Sequence, residues 1–196
     1  MRNILLTNDD GINAPGLRAL AEAMQGLATV TVVAPLHERS AAAQSLTLRQ
    51  PIYIDHVSER EYAVDGTPAD AMILAFHALL GEKPDLVISG INRGGNMGEN
   101  IYYSGTVGAA MEAAINRVPA IAVSVSSRDK EFDFAPAARF TRSLAPLQAS
   151  AADEGIALRW RIDPHLPLRL RGRARQPHRR HLLLPRRERP RCRCAP

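Results

Sequence analysis

The first 24 residues constrain the fold most, because they contain a strand, a loop and a helix start in immediate succession. Residues 4–7 form a short apolar run with polar neighbours, which predicts a buried strand. Pro15 and Gly16 then open an apolar stripe at helical spacing, formed by Leu17, Leu20, Ala21 and Met24. A strand, a loop and a helix in this order make the first half of a βαβ unit.

The same alternation continues along the chain. Further strands are predicted at residues 29–34, 86–89 and 120–125, and a hairpin at 52–55 and 62–65. Further helices are predicted at residues 107–116 and 134–147. Alternation of this kind predicts an α/β fold with a mostly parallel sheet and helices on both of its faces.

Residues 65–70, Asp-Gly-Thr-Pro-Ala-Asp, predict another helix start. Thr67 is a suitable N-cap, Pro68 suits the first helical position, and Asp70 faces the positive end of the helix dipole. We expect this helix to pass through Met72, Phe76 and Leu79 and to stop at Gly81.

Two adjacent carboxylates, Asp9 and Asp10, follow the first predicted strand. Ligands of parallel α/β sheets bind just beyond the carboxyl ends of the strands. Two carboxylates there repel each other unless a cation, a proton or water compensates, and a hard divalent metal ion is the natural compensator. The alternative is an ordinary turn, because Asn-Asp-Asp-Gly is also good turn chemistry.

Two further polar loops follow predicted strands. The loop predicted at residues 89–98 is rich in glycine, which frees backbone N–H groups to face an anion. Ser104, Gly105 and Thr106 lead directly into a helix, where backbone donors and the helix dipole favour a phosphate. The alternative is a flexible turn followed by an ordinary N-cap. No lysine follows the glycines and G-x-G-x-x-G is absent, which argues against a P-loop NTPase and a standard dinucleotide enzyme.

Together these loops predict a metal site beside a phosphate site. Asp9, Asp10, Ser40 and Asn92 offer the oxygen ligands that Mg²⁺, Mn²⁺ or Ca²⁺ prefer. Neutral donors for a phosphoryl group would come from Asn96, Ser104 and Thr106. A hard metal ion beside an anion cradle indicates hydrolysis of a phosphate ester.

The charge of the chain is divided unevenly. Residues 159–196 contain 13 Arg and 2 acidic residues, a net charge of +11, whereas residues 1–158 contain 12 basic and 18 acidic residues, a net charge of −6. The positive net charge of the whole chain comes from residues 159–196, so it gives no information about the ligand of residues 1–158. We divide the chain into a phosphatase domain at 1–158 and an Arg/Pro-rich tail at 159–196, which cannot offset its ordering entropy by burial and is predicted to be disordered or frame-shifted.

Composition also predicts the compartment. No apolar stretch approaches a membrane span, and the N-terminus enters a strand at once without a signal sequence. The only cysteines, Cys192 and Cys194, lie at the extreme end, so no disulfide framework is available. A cytoplasmic enzyme or binding domain that does not enter a membrane is expected.

Five blocks in order closely resemble the SurE family, the stationary-phase survival 5′/3′-nucleotidases. They lie at residues 6–16, 32–40, 65–70, 89–96 and 103–111. The resemblance implies a Rossmann-like three-layer α/β sandwich and a metal-dependent phosphatase that acts on nucleoside 5′- and 3′-monophosphates, with short polyphosphate as a further substrate. It also implies a homodimer or homotetramer, although the tail departs from the family pattern where relatives build their oligomers.

The resemblance implies a role for each site residue. One divalent ion per subunit, Mg²⁺ or Mn²⁺ with Ca²⁺ as an alternative occupant, would bind the ligand set Asp9, Asp10, Ser40 and Asn92. The phosphate-binding positions are Asn96, Ser104, Gly105 and Thr106. Asp9 or Asp10 would orient or deprotonate the attacking water, and the alternative is that one of them forms an aspartyl-phosphate.

Two alternatives to an active nucleotidase stay open. The altered tail favours an inactive remnant that binds metal or nucleotide without turnover. The basic charge of the tail favours a nucleic-acid-binding arm, for which salt-dependent RNA binding is the test. We attribute the tail to a shifted reading frame, since off-frame reading of GC-rich DNA yields Arg, Pro, Ala and Cys codons; resequencing and an intact-protein mass test this hypothesis.

Overall fold

The fold is taken from a computed structural model that describes residues 1–127 and 131–153. The predicted tail 159–196 and the domain boundary at 158 lie outside the described residues and stay predictions.

A six-stranded sheet forms the centre of the described fold. Its strands are β1 (Asn3–Thr7), β2 (Thr29–Pro35), β3 (Ile54–Ser58), β4 (Glu61–Val64), β5 (Leu86–Arg93) and β6 (Ala120–Val125). The spatial order is β3-β4-β2-β1-β5-β6, and every neighbouring pair is parallel except the antiparallel hairpin β3–β4. The predicted mostly parallel sheet and the predicted hairpin are confirmed.

Helices cover both faces of the sheet. They are α1 (Pro15–Met24), α2 (Pro68–Leu74), α3 (Gly105–Ile115) and α4 (Ala135–Asp153). Leu17 and Leu20 of α1 and Ala138 of α4 pack on one face, in a core cluster with alternate residues of β1 and β5. Met72 of α2 and Ala109 of α3 pack in a second core cluster on the other face. The predicted three-layer arrangement is therefore confirmed.

The start of α2 follows the predicted capping pattern. The Thr67 hydroxyl accepts from the Asp70 backbone N–H, and the Asp70 side chain accepts from the Thr67 backbone N–H, a reciprocal capping box. Pro68 occupies the first helical position. A π-helical turn, Ala75–Leu79, continues the helix to a C-cap at Leu80, directly before the predicted stop.

Strand β5 is longer than the sequence predicts, and the glycine-rich loop predicted to begin at residue 89 begins only after Arg93. Residues 89–93 remain in the strand, which pairs with β1 on one side and with β6 on the other. The register against β6 shifts between Ser89 and Asn92. Pairing on both sides satisfies the backbone of this segment, so tertiary context overrides the loop-like local composition.

Strand β1 lies at the point where the strand order reverses. The chain runs from β1 through α1 to β2 on one side, and from β5 through α3 to β6 on the other. In open parallel sheets this reversal opens a crevice at the carboxyl ends of the strands, where ligands bind.

No helix in the described ranges is both long and apolar enough to cross a membrane.

Candidate metal and phosphate site

The predicted site residues gather at the carboxyl ends of the strands around this reversal. Asp9 and Asp10 follow β1 directly, Ser40 lies in the loop after β2, and Asn92 is the next-to-last residue of β5. Three adjacent strands therefore supply the four predicted metal ligands.

Asp9 is buried, with 6% of its surface exposed, at the N-terminus of α3. The Thr106 hydroxyl donates a hydrogen bond to Asp9 Oδ1. Gly105 permits this approach, because a Cβ at that position would lie 2.8 Å from Asp9 Cβ and 2.9 Å from Asp9 Oδ2. Burial raises the pKa of Asp9 above its ordinary value, and donors from Thr106 and the Gly105 backbone oppose that rise. The start of α3 thus holds a protein carboxylate.

Asp10 is less enclosed than Asp9. Its Oδ2 accepts a 3.2 Å hydrogen bond from the backbone N–H of Arg93. Burial raises the pKa of Asp10; the negative charges of Asp9 and Glu38 add to the rise, and Arg93 opposes it through its backbone N–H and its charge. Two adjacent carboxylates with raised pKa values form a site that a cation would stabilise.

The two neutral predicted ligands lie on either side of the doublet. The Asn92 side-chain nitrogen donates to the Gly94 carbonyl at 2.7 Å, which leaves the amide oxygen as the side-chain atom that could bind a metal ion. The exposed Ser40 hydroxyl donates to Glu38 Oε1 at 2.6 Å.

This donor set fits a hard cation. Two carboxylates, an amide oxygen and a hydroxyl are the chemistry that Mg²⁺ and Mn²⁺ select. Within residues 1–127 and 131–153, no group of three or more His, Cys, Asp or Glu side chains could hold a metal ion.

The predicted phosphate-binding residues divide into two groups. The side chain of Thr106 and the N-terminal backbone of α3 face Asp9, so Gly105 and Thr106 first of all position that carboxylate. The Ser104 hydroxyl accepts from the Val107 N–H at 3.1 Å as the N-cap and keeps its own proton for donation. Asn96 is half-buried just beyond β5, with its backbone N–H 3.4 Å from Ser124 Oγ.

Glu38 is a site residue that the sequence analysis missed. Its carboxylate accepts from Ser40 and forms an ion pair with Arg93 at 3.6 Å. The signal available in the sequence was its position two residues before a predicted ligand, in a loop that follows a strand. Arg39 lies in the same loop and pairs with Asp65 at 2.9 Å.

Three buried polar atoms near the doublet have no hydrogen-bond partner within the described residues. They are Thr7 Oγ1, Asn8 Oδ1 and Ser89 Oγ. Thr7, the last residue of β1, is the register partner of Ser89 in the middle of β5. Buried polar groups are nearly always hydrogen-bonded in folded proteins, and exceptions are found mainly at functional sites.

Known proteins are similar to this chain in sequence and in fold. The family model described as Survival protein SurE matches residues 4–167. The chain is 52% identical over 143 residues to the 5′-nucleotidase SurE of Geobacter sulfurreducens, covering 73% of this chain and 55% of that protein. It is 48% identical over 174 residues to the 5′-nucleotidase SurE of Geotalea daltonii, covering 89% and 69% respectively.

Among solved structures, the crystal structure of the SurE protein from Aquifex aeolicus superimposes with a TM-score of 0.72 at 42% identity. The match covers 79% of this chain and 61% of that one. The chain therefore spans little more than half the length of several relatives that it matches.

Proposed function

Because this chain belongs to the SurE family, we propose that it is a divalent-metal-dependent phosphomonoesterase that hydrolyses nucleoside 5′- and 3′-monophosphates. Short polyphosphate is a further substrate in this proposal. Asp9 and Asp10, adjacent just beyond β1 with Asp9 buried against the start of α3, are the single observation that carries it, because such a pair is held most stably around a cation.

SurE proteins depend on a divalent metal ion. We assign Asp9, Asp10, Ser40 and Asn92 as its ligands, with Mg²⁺ or Mn²⁺ as the ion and Ca²⁺ as an alternative occupant. When bound, the ion would neutralise charge on a phosphoryl oxygen and lower the pKa of a bound water.

The two carboxylates take different parts in the reaction. Asp9 is fixed by Thr106 and by the start of α3, which suits a ligand that does not move. Asp10 accepts a hydrogen bond from the Arg93 backbone N–H and is more open than Asp9, which suits the group that orients the attacking water and accepts its proton. Ser104 and Asn96 would hold the equatorial phosphoryl oxygens for in-line attack, beside the backbone of Gly105 and Thr106.

The protein is further proposed to act in the cytoplasm as a homodimer or homotetramer, in line with the family resemblance.

The test is release of phosphate from 5′-AMP, 3′-AMP, GMP and tripolyphosphate with Mn²⁺ or Mg²⁺. We expect release from the monophosphates that stops in EDTA and in Asp9→Asn. A folded sample that binds Mn²⁺ but releases no phosphate would replace this proposal with the inactive-remnant alternative.

A further inference from the structure

The segment that carries Ser40 is tied to the start of α2, which neither the metal site nor the phosphate site explains. We name residues 40–47 the Ser40 loop. We propose that Asp70 is a positioning residue that fixes the far end of the Ser40 loop and thereby places Ser40 at the metal site. The inference deepens the proposed function and rests on it.

Asp70 makes more hydrogen bonds than its place in the capping box requires. Its Oδ2 accepts from the Thr67 backbone N–H at 2.9 Å, which completes the cap. The same oxygen accepts from the Thr47 hydroxyl at 2.7 Å, and Oδ1 accepts from the Thr47 backbone N–H at 3.0 Å. Both carboxylate oxygens therefore bind a residue 23 positions earlier in the chain, and Asp70 is only 4% exposed.

The charge of Asp70 strengthens this attachment. Burial acts to raise its pKa, but the hydrogen bonds from Thr67 and Thr47 outweigh burial, so the pKa lies below its ordinary value. Asp70 is thus a carboxylate at neutral pH, and hydrogen bonds to a charged acceptor are the stronger kind.

Thr67 adds a second attachment between the same two segments. Its hydroxyl donates to the Ser45 carbonyl at 2.6 Å while it accepts from the Asp70 backbone N–H at 3.1 Å. The helix start therefore holds the Ser40 loop at two of its residues.

The near end of the loop is attached to the metal site itself. The Arg39 backbone N–H, one residue before Ser40, donates to the Asp9 carbonyl at 2.8 Å. In the middle, the Ala43 N–H donates to the Tyr103 carbonyl at 3.2 Å, and a Cβ on Gly108 of α3 would lie 2.3 Å from the Ala43 carbonyl oxygen. The loop thus spans from Asp9, across α3, to Asp70.

The loop needs these attachments because its own backbone is unfavourable. Ala41 and Ala43 have φ angles of 58° and 48°, in the left-handed region that alanine seldom adopts. Such conformations persist only where the surroundings impose them. Loss of the Asp70 bonds would let the loop relax, and Ser40 would move with it.

The competing account is that Asp70 only stabilises α2 as a capping residue. Thr47→Val separates the two accounts, since it removes the hydroxyl on the loop side and leaves the capping box intact. Asp70→Asn removes the negative charge of the group to which both Thr47 and Thr67 donate hydrogen bonds. Met72→Ala is the matched control, because Met72 lies in α2 and is fully buried in the second core cluster, so its truncation destabilises the fold without changing a bond of the loop.

Two readouts are measured on the full chain. Mn²⁺ affinity of the metal-free protein is followed by electron paramagnetic resonance, and loop release by the rate of tryptic cleavage after exposed Arg49, two residues beyond the loop. We expect the Mn²⁺ Kd to rise about tenfold in Asp70→Asn and about threefold in Thr47→Val, because each variant loses hydrogen bonds that involve a charged group. Tryptic cleavage after Arg49 should be faster in both variants. At saturating Mn²⁺ we expect kcat to stay within about twofold of wild type, since Asp70 acts only through Ser40.

Met72→Ala should lower the melting temperature and leave the Kd unchanged. Wild-type affinity in both Asp70→Asn and Thr47→Val would overturn the inference even when the wild-type protein is an active nucleotidase. A wild-type protein that binds Mn²⁺ without turnover would overturn the proposed function alone, because the affinity and cleavage comparisons still decide the role of Asp70. A wild-type protein that binds no Mn²⁺ would overturn both.

Discussion

The Thr106 hydroxyl donates a hydrogen bond to Asp9, joining the first turn of α3 to the end of β1 across 97 residues of sequence. Thr106 is fully buried, and Asp9 is nearly so. The bond therefore holds the Asp9 side chain in one rotamer. A carboxylate that is already oriented binds a metal ion more tightly than one that must be ordered on binding.

Thr106→Val should remove this donor while keeping the shape of the side chain. A hydrogen bond to a charged group contributes about 1.5–3 kcal/mol, so we expect kcat/KM for AMP to fall about 10- to 150-fold. Thr106→Ser restores a hydroxyl and should recover most of the activity. Equal activity in the valine and serine variants would show that the bond has no part in the reaction.

Gly105→Ala tests the close approach of α3 to Asp9. The added methyl group would meet Asp9 Cβ at 2.8 Å, so the carboxylate must shift. A misplacement on the order of 1 Å costs about 100-fold in rate, and we expect a loss of that size together with weaker Mn²⁺ binding. Gly81→Ala is the control, because a Cβ there meets nothing within 4 Å. An active Gly105→Ala enzyme would show that Asp9 does not need its present position.

Much of this arrangement follows from local sequence, and part of it cannot. Strand β1 and helix α1 were predictable because an apolar run and an apolar stripe at helical spacing are local signals. The capping box at Thr67 and Asp70 was predictable for the same reason. The hydrogen bonds from Thr106 to Asp9 and from Thr47 to Asp70 join segments that are far apart in the sequence. The local sequence pattern around each residue therefore does not predict them. Strand β5 was predicted too short because pairing with both neighbours outweighs its loop-like composition.

Asp10 should destabilise the metal-free protein at neutral pH. Its folded pKa is raised above the ordinary value of 3.8, so the folded state binds its proton more tightly than the unfolded state does. Stability therefore falls as pH rises from about the unfolded pKa through the folded pKa. We expect Asp10→Asn to raise the melting temperature of the metal-free protein at pH 7, with the gain vanishing near pH 4. An unchanged or lower melting temperature at pH 7 would contradict the raised pKa.

Asp70 should show the opposite pH dependence. Its folded pKa is lowered, so the stability that it contributes is present above the unfolded pKa and is lost as pH falls through the folded pKa. We expect Asp70→Asn to lower the melting temperature at pH 7 and to have progressively less effect as the pH is brought below 3.8. Thermal melts of the two variants from pH 3 to pH 7 check both signs in one experiment.

Direct attack by water predicts that no phosphoenzyme accumulates. The Asp9 carboxylate already accepts hydrogen bonds from Thr106 and from the start of α3, which disfavours it as a nucleophile. In the proposed reaction Asp10 orients the attacking water and accepts its proton. Acid quenching during turnover of labelled AMP should therefore leave the protein unlabelled. Label on the protein that disappears in Asp10→Asn would establish the aspartyl-phosphate route in its place.

The most direct test of the account is a joint titration of the metal-free protein with Mn²⁺, in which bound metal and AMP hydrolysis are followed in the same samples. We predict one Mn²⁺ per chain, hydrolysis that rises in proportion to the bound metal, and loss of both in Asp9→Asn. Hydrolysis that persists in EDTA, or an Asp9→Asn variant that binds Mn²⁺ as tightly as wild type, would contradict the claim that the aspartate doublet holds the metal ion on which the reaction depends.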